Sequence, residues 1–263
     1  MCHDFQRRLS ILRLTMVILI AAISQIGPAA GQQQISFAQN GDAKLRVFVE
    51  GSGAAIVLLP RGGRGPRDFD EVTRRLVSAG YRVVRPEPRG FGESIGSVEN
   101  LTLRDIALDA LAAIEKVGAA PAILVGWAYG NRVARMIASE RPELVRGVVL
   151  IAAGGKFPPK PEVMTAMRMT QDKSLPLDKR AEAARTVFYG PKTTISATEM
   201  RLDEISAATI KAQSLAPTVP LEAWWGGGKV PMLVIQGLHD VIAPPENGRS
   251  LRQDYRERVT LVE

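Results

Sequence analysis

The chain has 263 residues, of which 46% are hydrophobic and 23% charged, and its formal net charge is +7. These proportions are ordinary for a packed globular protein and exclude a collagen, a low-complexity chain and wholesale disorder. The single cysteine excludes a disulfide framework, and two histidines leave little room for a histidine-based metal centre.

The first 31 residues have the features of a secretory signal peptide. Arg7, Arg8 and Arg13 precede ten apolar residues at positions 14–23, and small residues at 29–31 suit cleavage after residue 31. Ten apolar residues are too few for a comfortable membrane span, which needs about 20. We expect a periplasmic or secreted protein with no stable membrane span after cleavage, and an uncleaved anchor is the alternative.

Residues 32–263 have the pattern of one α/β domain. A β-hairpin is predicted over residues 35–38 and 45–50, because turn residues stand between two strand-like runs. Residues 54–60 form a wholly apolar run, typical of a strand buried on both faces. Further strands are predicted over residues 81–85, 122–125, 148–152, 232–236 and 259–262.

Helix signals fill the intervals between these strands. The first helix begins near Pro66 and presents Phe69, Val72 and Leu76 on one face. Thr102 is placed to cap a second helix. Two more helices are predicted over residues 131–141 and 246–255. Strands joined by single helices imply a mostly parallel sheet with helices on both faces.

The alternation of strand and helix breaks between about residues 156 and 229. This segment is helical and strand-poor, with candidate helices over residues 162–171, 178–187 and 197–215. A helical insertion over the carboxyl ends of a parallel sheet is a lid arrangement, so we predict a lid over residues 156–229. Trp224 and Trp225 stand where the lid returns to the sheet, where they either seat the lid or line a substrate pocket.

The most informative segment is Gly126-Trp127-Ala128-Tyr129-Gly130, which follows a predicted buried strand and precedes a predicted helix. This pattern is typical of a nucleophile elbow, in which the central residue occupies a strained strand-to-helix turn. The flanking glycines allow close packing, and the helix amino terminus supplies free N–H groups for a developing oxyanion. Ala128 therefore occupies the nucleophile position, and Trp127 is placed to line the pocket.

On these residues the chain resembles the α/β-hydrolase superfamily, and the resemblance covers nearly all of residues 35–263. Residues 58–63, Leu-Leu-Pro-Arg-Gly-Gly, are similar to the family's strand and oxyanion loop. Residues 86–94 resemble its D-x-R-G-x-G-x-S turn, with Glu87 and Pro88 altering the start. The resemblance implies the α/β-hydrolase fold, a mostly parallel sheet with helices on both faces and a helical lid insertion.

The resemblance also implies roles for particular residues. Residues 237–244 look like the loop that carries the acid, which makes Asp240 the acid position. The backbone N–H groups of Gly62 and Tyr129 match the oxyanion donors. Arg61 is a nearby alternative and a candidate pocket residue.

Two departures from the family pattern bear on activity. Ala128 replaces the nucleophile, and a methyl group cannot attack a carbonyl carbon. The family's general-base histidine follows the last strand, whereas the histidines here are His3, in the signal segment, and His239, beside the acid position. Because adjacent side chains on one loop seldom point at each other, His239 is interpreted as an ordinary loop residue.

Three explanations for these departures stay open. In the first, the protein lacks the serine but carries a histidine beyond residue 263, so the sequence is truncated at its carboxyl end. A His–Asp pair of that kind can abstract a proton without a nucleophile. In the second, the chain is a fragment or an engineered alanine variant of a serine enzyme. In the third, it is a non-catalytic ligand-binding protein on a hydrolase fold.

The leading expectation is a hydrolase-family protein for an ester or related bond of a small, apolar substrate or ligand. Serine-type hydrolysis is expected to be negligible with Ala128 in place. This combination amounts to a degenerate catalytic triad on an otherwise complete elbow.

Other binding motifs are weak. Gly62-Gly63-Arg64-Gly65 lacks the ending of a P-loop, and Asp68 stands where a dinucleotide fingerprint has its third glycine. No cofactor or metal is therefore expected. The basic residues are scattered without a run of five or six like charges, and no zinc-finger or RNP-like motif is present, so no nucleic-acid partner is expected. The oligomeric state is left open.

Overall fold

A computed structural model describes residues 32–263, so the signal peptide predicted over residues 1–31 lies outside the described residues. Eight strands form one sheet in the order β1-β2-β4-β3-β5-β6-β7-β8. Their bounds are β1 Gln34–Asn40, β2 Ala43–Glu50, β3 Ala55–Leu59, β4 Arg82–Pro86, β5 Ala122–Trp127, β6 Val145–Ile151, β7 Met232–Ile235 and β8 Val259–Val262.

Seven α-helices accompany the sheet in this part of the chain. They are α1 Asp70–Ser78, α2 Leu103–Lys116, α3 Tyr129–Glu140, α4 Pro161–Gln171, α5 Leu177–Phe188, α6 Ala207–Ala212 and α7 Glu246–Asp254. Strand β1 runs antiparallel to β2, and β2 antiparallel to β4. All the remaining strand pairs are parallel, which confirms the predicted hairpin followed by a mostly parallel sheet.

Strand β3 shows how both faces of the sheet are covered. All five of its residues are buried. Val57 and Leu59 belong to the large core that includes helices α2 and α3, whereas Ile56 and Leu58 pack with Phe69 in a separate cluster. Since successive side chains of a strand point to opposite faces, the sheet carries a core on each side.

The helix starts illustrate one confirmed and one wrong prediction. Thr102 caps α2 in a capping box, with the Thr102 N–H donating to Asp105 Oδ2 at 2.8 Å. Near Pro66 the chain first makes a 3-10 turn, Pro66–Phe69, and α1 begins only at Asp70. Val72, predicted to share the buried face with Phe69, is 44% exposed, because that face continues from Phe69 through Thr73 and Leu76 at ordinary helical spacing.

The segment between β6 and β7, residues 152–231, is here called the helical insertion. It contains α4, α5 and α6 and its own small core, formed by Ala181, Ala184, Met200, Leu202 and Ile205. The single helix predicted over residues 197–215 is wrong. Arg201 adopts a left-handed φ of 52°, and a new helix, α6, begins after Ser206, whose hydroxyl accepts the Thr209 N–H.

The helical insertion lies over the carboxyl ends of β3 and β4. The Ser206 N–H donates to the carbonyl of Gly63 at 2.9 Å, and the Ser206 hydroxyl donates to the carbonyl of Gly90 at 2.7 Å. Arg64 adds a bond from Nη1 to the carbonyl of Arg201 at 2.6 Å. These contacts connect the insertion to the loops that follow both strands.

Within residues 32–263, none of the helices combines the length and the apolar character needed to span a membrane.

Candidate active site

The turn between β5 and α3 has the geometry of the predicted elbow. Strand β5 ends at Trp127, helix α3 begins at Tyr129, and Ala128 between them has φ 49° and ψ −106°. A non-glycine residue in such a sparsely populated conformation costs about 1–3 kcal/mol, which the surrounding structure must offset. Strain of this kind is concentrated at functional sites, so position 128 is the natural centre of the candidate site.

Gly126 and Gly130 allow the elbow to pack closely. A Cβ on Gly130 would lie 2.1 Å from the carbonyl oxygen of Leu59. A Cβ on Gly126 would lie 2.4 Å from both the Cα of Asn131 and the carbonyl oxygen of Gly130. Backbone atoms occupy both positions, so neither site can accept a side chain without movement of the main chain.

The two residues that carry the predicted oxyanion donors lie close together. A Cβ placed on Gly62 would be 3.8 Å from the Cβ of Tyr129, so the loop after β3 meets the first residue of α3. The next amide, that of Gly63, donates to Gln213 Oε1 at 3.0 Å and is therefore occupied. The N–H groups of Gly62 and Tyr129 donate to no acceptor within residues 32–263, which leaves them free for a ligand oxygen.

Asp240 lies in the loop after β7 and is half-buried. Its Oδ1 accepts the N–H groups of Ile242 at 2.9 Å and Ala243 at 2.8 Å. Burial raises the pKa of this carboxyl, and the two backbone hydrogen bonds oppose that effect only in part. Its other oxygen, Oδ2, accepts no hydrogen bond from the described residues and remains available.

Buried amide side chains tie the acid loop to the elbow, and these were missed in the sequence. Gln236 accepts the Ala153 N–H at 3.0 Å and donates to the carbonyl of Ala243 at 2.6 Å. Asn131, in the first turn of α3, donates to the carbonyl of Ala152 at 2.9 Å. The loops after β5, β6 and β7 are thereby linked at one edge of the sheet.

His239 lies apart from this network. Its side chain is exposed and makes no hydrogen bond with any residue in the described range. Asp240 accepts hydrogen bonds from two backbone N–H groups and none from the neighbouring imidazole. The structure therefore gives no sign of an Asp–His pair between these two residues.

Arg61 is held beside the elbow by aromatic rings. Its guanidinium carbon lies 5.1 Å from the centre of the Trp127 ring and 5.2 Å from that of Phe188, which belongs to α5. Trp127 also packs edge-to-face on Phe69 at a ring distance of 6.1 Å. Arg61 and Trp127, both predicted pocket residues, thus form one contact at the edge of the candidate site.

Trp224 and Trp225 are buried in the main core rather than displayed at the elbow. The guanidinium carbon of Arg135, a fully buried residue of α3, lies 4.5 Å and 5.0 Å from their ring centres. This placement favours the packing interpretation over pocket lining for both tryptophans. Arg135 was missed in the sequence, since an arginine on a predicted helix is usually a surface residue.

A small cavity of about 40 Å³ lies behind the elbow. It is bounded by Pro60 and Gly130 and by polar side chains of Glu87, Asp109 and Tyr129. The Tyr129 hydroxyl is buried without a hydrogen-bond partner, and burial raises the pKa of Tyr129. A space of this size is too small for a substrate and has room for two or three water molecules at most.

No group of three or more histidine, cysteine, aspartate or glutamate side chains in residues 32–263 is arranged to hold a metal ion.

Comparison with known proteins agrees with this geometry. The model of the Alpha/beta hydrolase family matches residues 56–263, which is most of the chain. The chain belongs to this family. The match includes the loop after β3, the turn at Ala128, the helical insertion and the loop that carries Asp240.

The curated relatives are enzymes of varied chemistry. A pyrrolizixenacetamide deacetylase from Xenorhabdus hominickii is 32% identical over 114 residues, covering 43% of this chain and 42% of the relative. A rhodomycin D methylesterase from Streptomyces peucetius is 26% identical over 251 residues, covering 79% and 84%. The chain spans only 42–43% of the length of the first curated relatives it matches.

Solved structures show the same fold. An esterase from Exiguobacterium antarcticum superposes with a TM-score of 0.73 at 19% identity, covering 88% of this chain and 91% of that one. Identity this low supports a shared fold and no more.

Proposed function

We propose that this family member binds the carbonyl group of an ester or related bond in a small, largely apolar molecule. The ligand carbonyl oxygen accepts hydrogen bonds from the Gly62 and Tyr129 N–H groups, and the carbonyl carbon lies over Ala128. The observation that carries the proposal is the strained backbone of Ala128 beside these two free amides. The hydrolytic activities of the relatives support the same class of ligand.

The side chain at position 128 sets the limit of the chemistry. A serine there could form a covalent acyl-enzyme, whereas the methyl group of Ala128 has no lone pair to attack with. The oxyanion donors stabilise negative charge on oxygen whatever the attacking group is. The proposed activity is therefore ligand binding without an acyl-enzyme, and serine-type hydrolysis is absent.

Binding of the neutral diester dimethyl adipate tests the proposal. We expect saturable binding by calorimetry, and we expect Ala128→Leu to weaken it at least about tenfold, or 1.4 kcal/mol. The larger side chain fills the space that the carbonyl would occupy. Ala79→Leu is the matched control, because Ala79 is exposed at the end of α1, before β4 begins, at the opposite edge of the sheet. Equal binding by all three proteins would refute the placement.

A second candidate function is proton abstraction or water activation by Asp240. Its free Oδ2 and its raised pKa are the observations in favour. A carboxylate acts as a base only when ionised, so such activity would appear as the pH rises through the raised pKa.

Asp240→Asn is expected to stabilise the fold at neutral pH while removing any base function. The asparagine oxygen can still accept the Ile242 and Ala243 N–H groups, and the buried charge is gone. Because the folded-state pKa is raised above 3.8, ionisation opposes folding, so the advantage of the variant grows as the pH rises through that raised pKa. The measurement is the thermal midpoint of both proteins from pH 3 to pH 8.

Asp172→Asn serves as the control of opposite sign. Hydrogen bonds from Ser174 lower the pKa of this exposed carboxyl, so its ionised form favours folding. Relative to the unmodified protein, Asp172→Asn should lose stability as the pH rises. The same trend in Asp240→Asn would contradict the interpretation that burial dominates the pKa of Asp240.

We also propose that the helical insertion acts as a lid and that the protein is exported. The hydrogen bonds of Ser206 to Gly63 and Gly90 support the lid, since they join the insertion to loops around the site. Export rests on the sequence of residues 1–31 alone. Recovery of the full-length protein in the cytoplasm of intact cells would contradict it.

A further inference from the structure

Arg61 lies beside the elbow, and its terminal nitrogens form no hydrogen bond with the described residues. Its Nε donates to Asp68 Oδ2 at 3.3 Å, a long contact. Nη1 and Nη2 donate to no acceptor in the described part of the chain, and neither is among the buried nitrogens that lack a partner. Both therefore reach solvent-accessible space, although the side chain as a whole is only 16% exposed.

The carboxylate that Arg61 contacts is already shared. Arg64 donates hydrogen bonds from Nε and Nη2 to Asp68, and Arg201 lies 3.7 Å from the same carboxylate. Glu204 pairs mainly with Arg201. Three guanidinium groups therefore share the carboxylates of Asp68 and Glu204, and Arg61 makes only the one long contact with them.

Two aromatic rings hold the guanidinium of Arg61 in place. Its central carbon lies 5.1 Å from the centre of the Trp127 ring and 5.2 Å from that of the Phe188 ring, both within the range of cation–π contacts. The terminal nitrogens keep their hydrogen-bonding capacity, because neither donates to an acceptor in residues 32–263. A planar guanidinium edge is the group that proteins use to bind carboxylates through two parallel hydrogen bonds.

The position of Arg61 connects this edge with the elbow. Arg61 immediately precedes Gly62, and its stacking partner Trp127 immediately precedes Ala128. The guanidinium therefore belongs to the residue before one predicted oxyanion donor and contacts the residue before Ala128. Burial lowers the pKa of Arg61, as expected where a charge lacks full hydration.

We propose that Arg61 is the anchor for a carboxylate on the ligand, so that the site selects monoanionic carbonyl compounds over neutral ones. This inference rests on the proposed carbonyl-binding function and adds the ligand's charge. The guanidinium of Arg61, whose contact with Asp68 is long and shared with two other arginines, matches one carboxylate that a short spacer joins to the ester or ketone carbonyl.

The test compares monomethyl adipate with dimethyl adipate, which differ only in one carboxylate. Calorimetry on the unmodified protein should give monoester binding at least about tenfold tighter than diester binding. Arg61→Gln should remove that preference, so that monoester and diester bind the variant with similar affinity. Arg61→Lys should keep part of it, because the charge stays while the two-nitrogen fork is lost.

Two control variants separate a local anchor from a general positive field. Arg67→Gln removes an exposed charge on the same loop and should retain the preference. Arg132→Gln removes another guanidinium near the elbow, one that forms no hydrogen bond or ion pair in the described residues and lies 5.7 Å from the Trp224 ring. It should also retain the preference. Thermal midpoints of all four variants check that each one folds.

The outcomes distinguish this inference from the proposed function. Equal affinity for monoester and diester in the unmodified protein would overturn the anchor and leave carbonyl binding intact. A preference that survives Arg61→Gln but disappears in Arg132→Gln or Arg67→Gln would overturn the assignment to Arg61. Failure of both compounds to bind would defeat the proposed function, and the anchor with it.

Discussion

Gly130→Ala should destabilise the fold by about 3 kcal/mol or more, one of the two largest effects expected in this protein. The new Cβ would lie 2.1 Å from the carbonyl oxygen of Leu59 and 2.8 Å from that of Pro60, and both atoms belong to the main chain. Overpacking that shifts side chains and backbone typically costs about 1–3 kcal/mol, and occasionally more. Here the elbow must move away from the end of β3, so the cost lies at or above that range.

Chemical denaturation of Gly130→Ala beside Gly118→Ala gives the comparison. A Cβ on Gly118 meets nothing within 4 Å, and its φ of 59° adds only the strain of a left-handed residue, about 1–2 kcal/mol. Gly130→Ala should therefore lose clearly more stability than Gly118→Ala. Equal losses in the two variants would mean that the elbow is not packed as described.

Arg89→Ala should be the second large loss, about 3–5 kcal/mol. Arg89 is 4% exposed and donates to both oxygens of Asp109, at 2.9 Å and 2.7 Å. It also bonds Asp42 and the carbonyl of Ser97, each at 3.0 Å, and so joins the turn after β4 to the hairpin and to α2. Its removal leaves the buried charge of Asp109 with the Asn40 amide as its remaining partner.

The double variant Arg89→Met with Asp109→Leu tests the cause. If the loss comes from an uncompensated buried carboxylate, replacing both partners by apolar groups should recover much of it. Arg141→Ala removes an exposed ion pair with Glu143 and should cost under about 1 kcal/mol. A double variant as unstable as Arg89→Ala alone would show that packing, rather than charge, dominates at this position.

The strands were predictable because their apolar runs are local signals. The runs at 54–60 and 122–125 correspond to β3 and β5, and the cap at Thr102 was visible as a short-range pattern. The single helix predicted over residues 197–215 does not form, because tertiary contacts interrupt it. Leu202 and Ile205 are held in the core of the insertion, and Ser206 bonds Gly63 and Gly90, so the chain cannot stay helical through Arg201.

The sequence predicts those parts of the candidate site that are formed by residues close together in the chain. The structure brings Gly62 and Tyr129 together and gives Ala128 a strained backbone, as the elbow pattern predicts. Gln213 and Gln236 gave no such signal, since each bonds a residue at least seven positions away in sequence. Polar side chains of this kind acquire their role only when distant segments meet.

Reaction with a fluorophosphonate probe tests the central claim most directly. The unmodified protein and Ala128→Ser would be treated in parallel, with intact mass and aryl-ester hydrolysis as readouts. We predict that the unmodified protein forms no adduct and hydrolyses esters no faster than buffer, and that any adduct on Ala128→Ser maps to the substituted position. An adduct on the unmodified protein, or equal and measurable ester turnover by both, would contradict the assignment of Ala128 to the nucleophile position.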